Sequence, residues 1–517
     1  MIQESKKEKN TVSNGLAGLR SGEKDKTYKK RKLSKQIREN KVSRNTLFLT
    51  IAYTLQKVIS FGYFIYYARY IGYIGTGQFV FAVSFTTVFG ILVDLGLNPV
   101  LIREISRFKN KAHKYFSAIF TVKVFFAFTA ILLIYITINT LSYPETTKSL
   151  VYFAGFVMLF ESFSLSIFGV FRGFHNLKYE SIGTLIYQLL VVSSGIVMLQ
   201  IFKQPIVLGI AILIGAIGNF LYALIKLVKH TDIKPRFYLN FSLLRKLFKM
   251  AMPFFLAGIF TKIYAYIDIL LLSFLKKGQG GEEYVGWYSV AYKLTYAIQF
   301  IPLAFNNSIY PALSRLYISS QEILARTVEN AFRYLMIISL PISLGAFVLA
   351  DKITVLFTSD YTRSIPAFRI SILGLVFIFI NFILSSVLNA TNRQKKNTLN
   401  IGLTVAFNVI INLILIPRFN HIGASIAALS SAVFLFVVAY YQTQKIIKYN
   451  KAKIVSWFFR SLTASLGMAL SIYWLKPAVN FILLIPIGVL IYIALILLLK
   501  IIKYSELRYV IKSIIRR

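Results

Sequence analysis

The sequence has no cysteine. Disulfides, thiolate metal sites and a catalytic thiol are therefore excluded, although the lack says nothing about compartment. Acids are scarce, with 19 Asp+Glu in 517 residues. Only 15% of residues are charged, against roughly a quarter in a soluble domain. Little remains for a water-facing surface, which excludes an ordinary soluble enzyme and a disordered chain. The four histidines, His113, His175, His230 and His421, are scattered and form no metal constellation. There is no Gly-rich phosphate loop, paired-carboxylate constellation or nucleophile elbow. There is also no long alternating strand pattern of a transmembrane β-barrel.

What is present is apolar: 56% of residues are hydrophobic and the mean hydropathy is +0.65. A first apolar run of about 25 residues begins near Asn45, too long and too far behind a basic tail for a cleavable signal. Further runs follow near 76–97, 115–139, 150–171, 179–202, 205–228, 250–275, 284–313, 329–350, 364–390, 398–417, 421–444, 454–475 and 479–502. Each is long enough to cross ~30 Å of hydrocarbon at ~1.5 Å per residue. The fold class predicted is an all-α integral membrane protein with about 14 transmembrane helices.

Lys+Arg number 59, a formal net charge of +40. Assigned to alternate loops and the two tails, 44 fall on one side and nine on the other. The positive-inside rule makes the richer side cytoplasmic, with both termini inside a cell-membrane protein. So large an excess on so apolar a chain reads as loops, not nucleic-acid binding. The opposite loops reach about a dozen residues at most, around 138–149 and 351–364, too short to hold an extramembrane active site. Transport is expected, not enzyme chemistry.

The chain repeats itself. TLQKVISFGYFIYYAR (54–69) before GTGQFVFAVSF (75–85) parallels IFTKIYAYIDILLLSF (259–274) before VGWYSVAYKL (285–294). Lys57 matches Lys262, and Gly77 matches Gly286. FRGFHNLKYESIGTLIYQLLVVSSGIVML (171–199) similarly parallels LNATNRQKKNTLNIGLTVAFNVIINLILI (388–416). Both halves start on the same side, so the repeat is parallel, with two six-helix lobes around a central cavity. The boundaries read as a basic disordered tail 1–44, an N-terminal lobe 45–229, a basic loop 230–249, a C-terminal lobe 250–447, two extra helices 448–503 and a basic tail 504–517. The extra helices are expected to pack outside the gated core or to offer a lipid-tail surface. Phe241–Lys249 and Lys503–Arg517 read as basic amphipathic helices at the interface.

VDLGLNPVLIRE (93–104), the FRG turn (171–173), MAMPFFLAGIFTKIYAYIDILLL (250–272), VGWYSVAYKL and LNATNRQKKN (388–397) resemble the polysaccharide, or oligosaccharide-lipid, flippases. So do the later NVIINLILIP and GASIAALSSA. These flippases belong to the multidrug/oligosaccharidyl-lipid/polysaccharide exporter superfamily, and the resemblance covers roughly 45–450. It implies alternating-access movement of a polyprenyl-diphosphate-linked oligosaccharide from the cytoplasmic to the outer leaflet. A cation-coupled multidrug exporter of the same superfamily is the alternative. A membrane-embedded glycosyltransferase or polymerase is the reading from another class.

Charges within the spans bear on that choice. Arg369 and Arg460 can snorkel from helix ends. Lys57, Lys123, Lys262 and Lys293 lie deeper, where insertion of a lysine costs ~2.5–3.5 kcal/mol. With Glu161 and Asp268 as the interior acids, and Asp94 at a helix end, the interior is net positive and suits an anionic diphosphate. The four lysines are candidate substrate ligands, with structural ion pairing as the alternative. Lys57 and Lys262, matched by the repeat, are expected to face each other across the cavity. Glu161, Asp268 and Asp94 are candidates for H+ or Na+ coupling. Asp268 could instead pair with Lys293, and Asp94 with nearby bases. Tyr288, Tyr292, Tyr296 and Phe300 recur every four residues and could stack on sugar, or simply pack; Pro302 is expected to kink their helix. No cofactor or metal is expected. Expected partners are the lipid-linked oligosaccharide, anionic lipids at the basic tails and other polysaccharide-assembly proteins. The orientation is checked by labelling: a single cysteine at Gly278 or Glu283 should react with an impermeant thiol reagent in intact cells. Labelling at Ser34 instead would reverse it.

Overall fold

The computed structural model describes residues 48–277 and 280–502. The basic tails at 1–44 and 504–517, and the expected helix at 503–517, lie outside them. Every described element is helical and none is a strand. Helix α1 is described from Phe48 and ends at Asp94. It is followed by α2 (Leu97–Arg107), α3 (Ala112–Thr140), α4 (Glu145–Gly173), α5 (Lys178–Phe202), α6 (Ile206–His230) and α7 (Phe241–Leu275). The second half holds α8 (Gly281–Ala297), α9 (Phe300–Ser319), α10 (Gln321–Val348), α11 (Ala350–Thr354), α12 (Ser364–Leu373), α13 (Leu375–Ala390) and α14 (Gln394–Gln444). Helices α15 (Lys451–Leu475) and α16 (Phe481–Leu498) close the described chain.

Among the described residues, ten segments are long and apolar enough to span a membrane. Two of them, α1 and α14, are each a pair of spans joined at a kink. The α8–α9 pair and α15 complete the expected fourteen. At the α1 kink Gly72 takes φ 68°, ψ −177°, a region essentially reserved for glycine. At the α14 kink Asn420 has φ 53°, three residues after Pro417, whose carbonyl accepts from Lys276 Nζ at 2.9 Å. These turns replace loops expected from sequence. The α8–α9 break falls at Ile298–Gln299, so Pro302 sits in the first turn of α9, where its missing N–H leaves no bond unmade. Phe300 therefore opens a new helix and does not continue the tyrosine stripe.

Phe241–Lys249 is not a separate interfacial helix either. Asn240 caps α7, its side chain accepting from Leu243 N, and the helix runs unbroken for 35 residues past Pro253. Its two ends belong to different cores. Leu244, Leu247 and Ala251 pack among Leu97, Leu101, Phe171 and Leu227 of the N-terminal half. Ile269, Leu270 and Leu272 pack with the main core that includes α8 and α10. Pro253 removes one backbone bond between these ends, which weakens the helix there.

Helices α15 and α16 lean on the outside of α10. Glu329 accepts from Asn450 N (2.8 Å) and Lys453 Nζ (3.3 Å) at one end of α15. Lys476 pairs with Asp351 at the other (2.5 Å). Tyr492 of α16 donates to the Ile337 carbonyl (2.8 Å).

The lobes meet at the short-loop side. A Cβ on Gly77 would lie 1.8 Å from the Glu282 carbonyl oxygen, and one on Gly286 would lie 2.0 Å from that of Tyr73. The two repeat-matched glycines thus press each half's backbone onto the other. Around this crossing Tyr143 and Ser273 share a hydrogen bond (2.8 Å), Thr147 donates to Glu282 (3.1 Å) and Tyr361 bonds Thr76 (2.9 Å). Gly286→Ala is expected to cost the closed arrangement ~1–3 kcal/mol through overpacking. A cysteine at Ser289, fully buried one turn deeper, should then react faster with impermeant reagent from the short-loop side. Unchanged reactivity would mean that this crossing is not the seal.

Candidate functional site

Away from that seal the facing walls are α1, α4, α7 and α8, and they carry the interior charges. Lys123 of α3 is 0% exposed; its Nζ donates to Asp94 Oδ1 (2.9 Å) and to the Ser162 carbonyl and hydroxyl (both 3.2 Å). It is a closed structural pair and not a cavity-facing ligand, because no surface of the amine is left for substrate. Asp94 is thereby engaged as well. Lys262 is half-buried on α7 but reaches into the N-terminal lobe, its Nζ 3.5 Å from the Thr87 carbonyl. The charges acting on it are Asp94, Glu161 and Lys123, and Lys57 is not among them. Glu161, midway along α4, is exposed, with Tyr187 of α5 beside it.

Lys57 is exposed on the first leg of α1. Phe64, two turns on and therefore on the same face, lies under Lys293 Nζ of α8 at 5.9 Å from the ring centre. Lys293 is half-buried, and no acidic group neutralises it among the described residues. Lys57 lies ~10 Å of helix rise before Phe64 on the same helix.

Asp268 does not pair with Lys293. Its Oδ1 accepts from Asn408 Nδ2 (3.0 Å) and Asn412 Nδ2 (2.6 Å), and its Oδ2 from the Tyr288 hydroxyl (3.0 Å). Asn408 also donates to Ser431 (3.1 Å). Tyr288 is buried, whereas Tyr296 is 39% exposed, its ring centre 4.3 Å from that of Tyr292 and tilted by 35°. These tyrosines and Asp268 line a half-open cavity of about 340 Å³ inside the C-terminal lobe. Sequence reasoning missed Asn408 and Asn412 as partners of Asp268. Their i,i+4 spacing within an apolar run was the available signal. Among the described residues no cluster of His, Cys, Asp or Glu could hold a metal.

The profile described as "Polysaccharide biosynthesis protein" matches residues 42–317, and one described as "MatE" matches 253–414. The chain belongs to the polysaccharide biosynthesis protein family. Relatives include an uncharacterized membrane protein of Methanocaldococcus jannaschii, 22% identical over 90% of this chain and 97% of its own. A probable low-salt glycan biosynthesis flippase of Haloferax volcanii is 23% identical over 80% and 86%. The solved lipid II flippase MurJ in an inward closed conformation superposes with a TM-score of 0.72 at 18% identity, covering 87% of this chain and 98% of its own. A multidrug resistance MATE transporter, inward-facing, gives 0.62 at 16%, covering 76% and 94%. The fold is that of the superfamily which the sequence motifs resemble.

Two of those motifs are now seen as packing devices. Gly96 of VDLGLNPVLIRE lets α2 approach α7, since a Cβ there would sit 2.5 Å from Phe255 N. Arg172 of the FRG turn pairs with Glu180, and Tyr53 of α1 donates to the same carboxylate (2.5 Å). The buried Lys123–Asp94 pair yields a stability prediction. Asp94→Ala should cost ~3–5 kcal/mol by stranding a buried ammonium, and Lys123→Met with Asp94→Leu should recover most of it. Thermal unfolding in detergent measures both, and equal stability of Asp94→Ala and wild type would reassign the pair to a wet cavity.

Proposed function

We propose that this protein flips a polyprenyl-diphosphate-linked oligosaccharide across the cell membrane, from the cytoplasmic to the outer leaflet. The observation that carries this reading is Lys293, a cation at membrane depth with no acid to neutralise it. Such a charge needs a wet cavity or an anionic ligand, and a diphosphate supplies the ligand through charge-assisted hydrogen bonds. Lys262 is the second ligand. It reaches from the C-terminal half to the other lobe, so a dianion that holds it and Lys293 bears on both lobes. Lys57, exposed on the first leg of α1, meets the diphosphate first. Lys123 is left to structure. The relatives' names support a glycan-linked lipid over a drug, and an exporter of cationic drugs would not leave a lysine unneutralised in its path.

With the basic loops inside, the membrane potential favours outward release of a dianion by ~2.3 kcal/mol per charge for each ~100 mV. Return of the empty carrier is assigned to H+ or Na+ acting at Glu161, which faces Lys262, or at Asp268 with its asparagines. Asp94 is held in its pair with Lys123. The basic tail at 1–44 is read as an anchor on anionic lipid, and other polysaccharide-assembly proteins are expected alongside. No enzymatic step is assigned.

Deletion of the gene should cause a lipid-linked glycan to accumulate in extracts. Unchanged lipid pools with new drug sensitivity would favour the exporter. On complementation, Lys293→Ala and Lys262→Ala should each lower flipping about tenfold or more, since charge-assisted contacts contribute ~1.5–3 kcal/mol. Lys57→Ala should lower it less, Arg at these sites should retain part of it, and Glu should abolish it. Near-normal flipping by a well-expressed Lys262→Ala, Lys293→Ala double variant would remove the diphosphate assignment.

A further inference from the structure

The cavity inside the C-terminal lobe differs in chemistry from the lysine wall beside it. It runs from Asp268 to the turn between α13 and α14; its surface is mostly apolar, and neutral polar groups of Tyr292, Tyr296, Gln299, Asn306, Ser386 and Asn389 interrupt it. Its volume of about 340 Å³ falls at the low end of small-ligand sites, ~300–1,000 Å³. Phenol rings with free edges beside amide and hydroxyl groups suit a sugar, which offers C–H faces to aromatics and hydroxyls to amides.

The position fits as well. Tyr292 and Tyr296 flank Lys293 on α8, Tyr296 lying one turn away on the same face. Thr261 lines the cavity next to Lys262. A glycan attached to a diphosphate held by the two lysines would enter here without a long spacer. The sole carboxylate of the wall is Asp268. Tyr288, Asn408 and Asn412 all donate to it. No basic residue lines the cavity. An acidic sugar would meet no cation there.

We infer that this cavity is a sugar subsite that selects lipid-linked glycans whose diphosphate-proximal residue is uncharged. The inference rests on the reading of Lys262 and Lys293 as the diphosphate site, and its test separates the two. Three probes are bound to the purified full-length protein in nanodiscs: farnesyl diphosphate, and the same lipid diphosphate linked to N-acetylglucosamine or to glucuronic acid. The N-acetylglucosamine probe should bind about tenfold more tightly than farnesyl diphosphate, as expected for one or two added neutral hydrogen bonds with ring stacking. The glucuronic acid probe should gain nothing. Asn389→Ala should erase most of the sugar increment and leave farnesyl diphosphate binding unchanged. Tyr296→Phe, which keeps the ring at a half-exposed site and so preserves the fold, should lose part of it. Equal binding of all three probes would overturn the subsite, as would a glucuronic acid probe that binds as well as N-acetylglucosamine. If Lys293→Ala leaves farnesyl diphosphate binding unchanged, the diphosphate assignment falls instead, and a persisting sugar increment would still support the cavity.

Discussion

A charge at the depth of the hydrocarbon must be paired, or must face water or a ligand. That constraint sorts the interior of this protein. Lys123 takes the first course and is sealed against Asp94 and Ser162. Asp268 is satisfied by three neutral donors from α8 and α14, which ties those helices to α7. Lys57, Lys262, Lys293 and Glu161 remain on the walls between the halves, exposed or half-buried. These are three lysines and one acid, while Asp94 is held by Lys123 and Asp268 by hydrogen bonds within its own lobe.

Movement between two access states needs lobes that part at one end while another element keeps them in register. The Gly77–Gly286 crossing is suited to parting. It is a backbone-to-backbone contact made by two residues without side chains, bordered by a few hydroxyl bonds. Helix α7 keeps the lobes in register, with its first turns in the N-terminal core and its last turns in the main core. Pro253 marks where it can flex. The extra helices α15 and α16 stay outside this machinery, held on α10 by Glu329 and Asp351.

Several features could be read in the chain because they depend on local composition. The span count follows from apolar length, and α3 to α6 lie where the runs placed them. The repeat matched Gly77 with Gly286, and the structure brings these two glycines together. The depth of the four lysines followed from their distance to the span ends. Short kinks were harder to read. A single glycine or asparagine with positive φ joins two spans at residues 72 and 420, and hydropathy averaged over a window cannot separate such a turn from a loop.

The sequence by itself determined that this is a fourteen-span, two-half membrane protein with lysines inside, because hydrophobic length, charge asymmetry and internal similarity are properties of the chain. Only the tertiary structure decided which lysine is free. Lys123 and Lys293 look alike in sequence, each a lone base in an apolar run. One meets Asp94 from a helix 29 residues away, and the other lies over the ring of Phe64 with no acid beside it among the described residues. The i,i+4 spacing of Asn408 and Asn412 marked a polar stripe but not its partner, since Asp268 lies 140 and 144 residues away along the chain. Pairing between distant helices is set by how the lobes pack, and no local pattern encodes it.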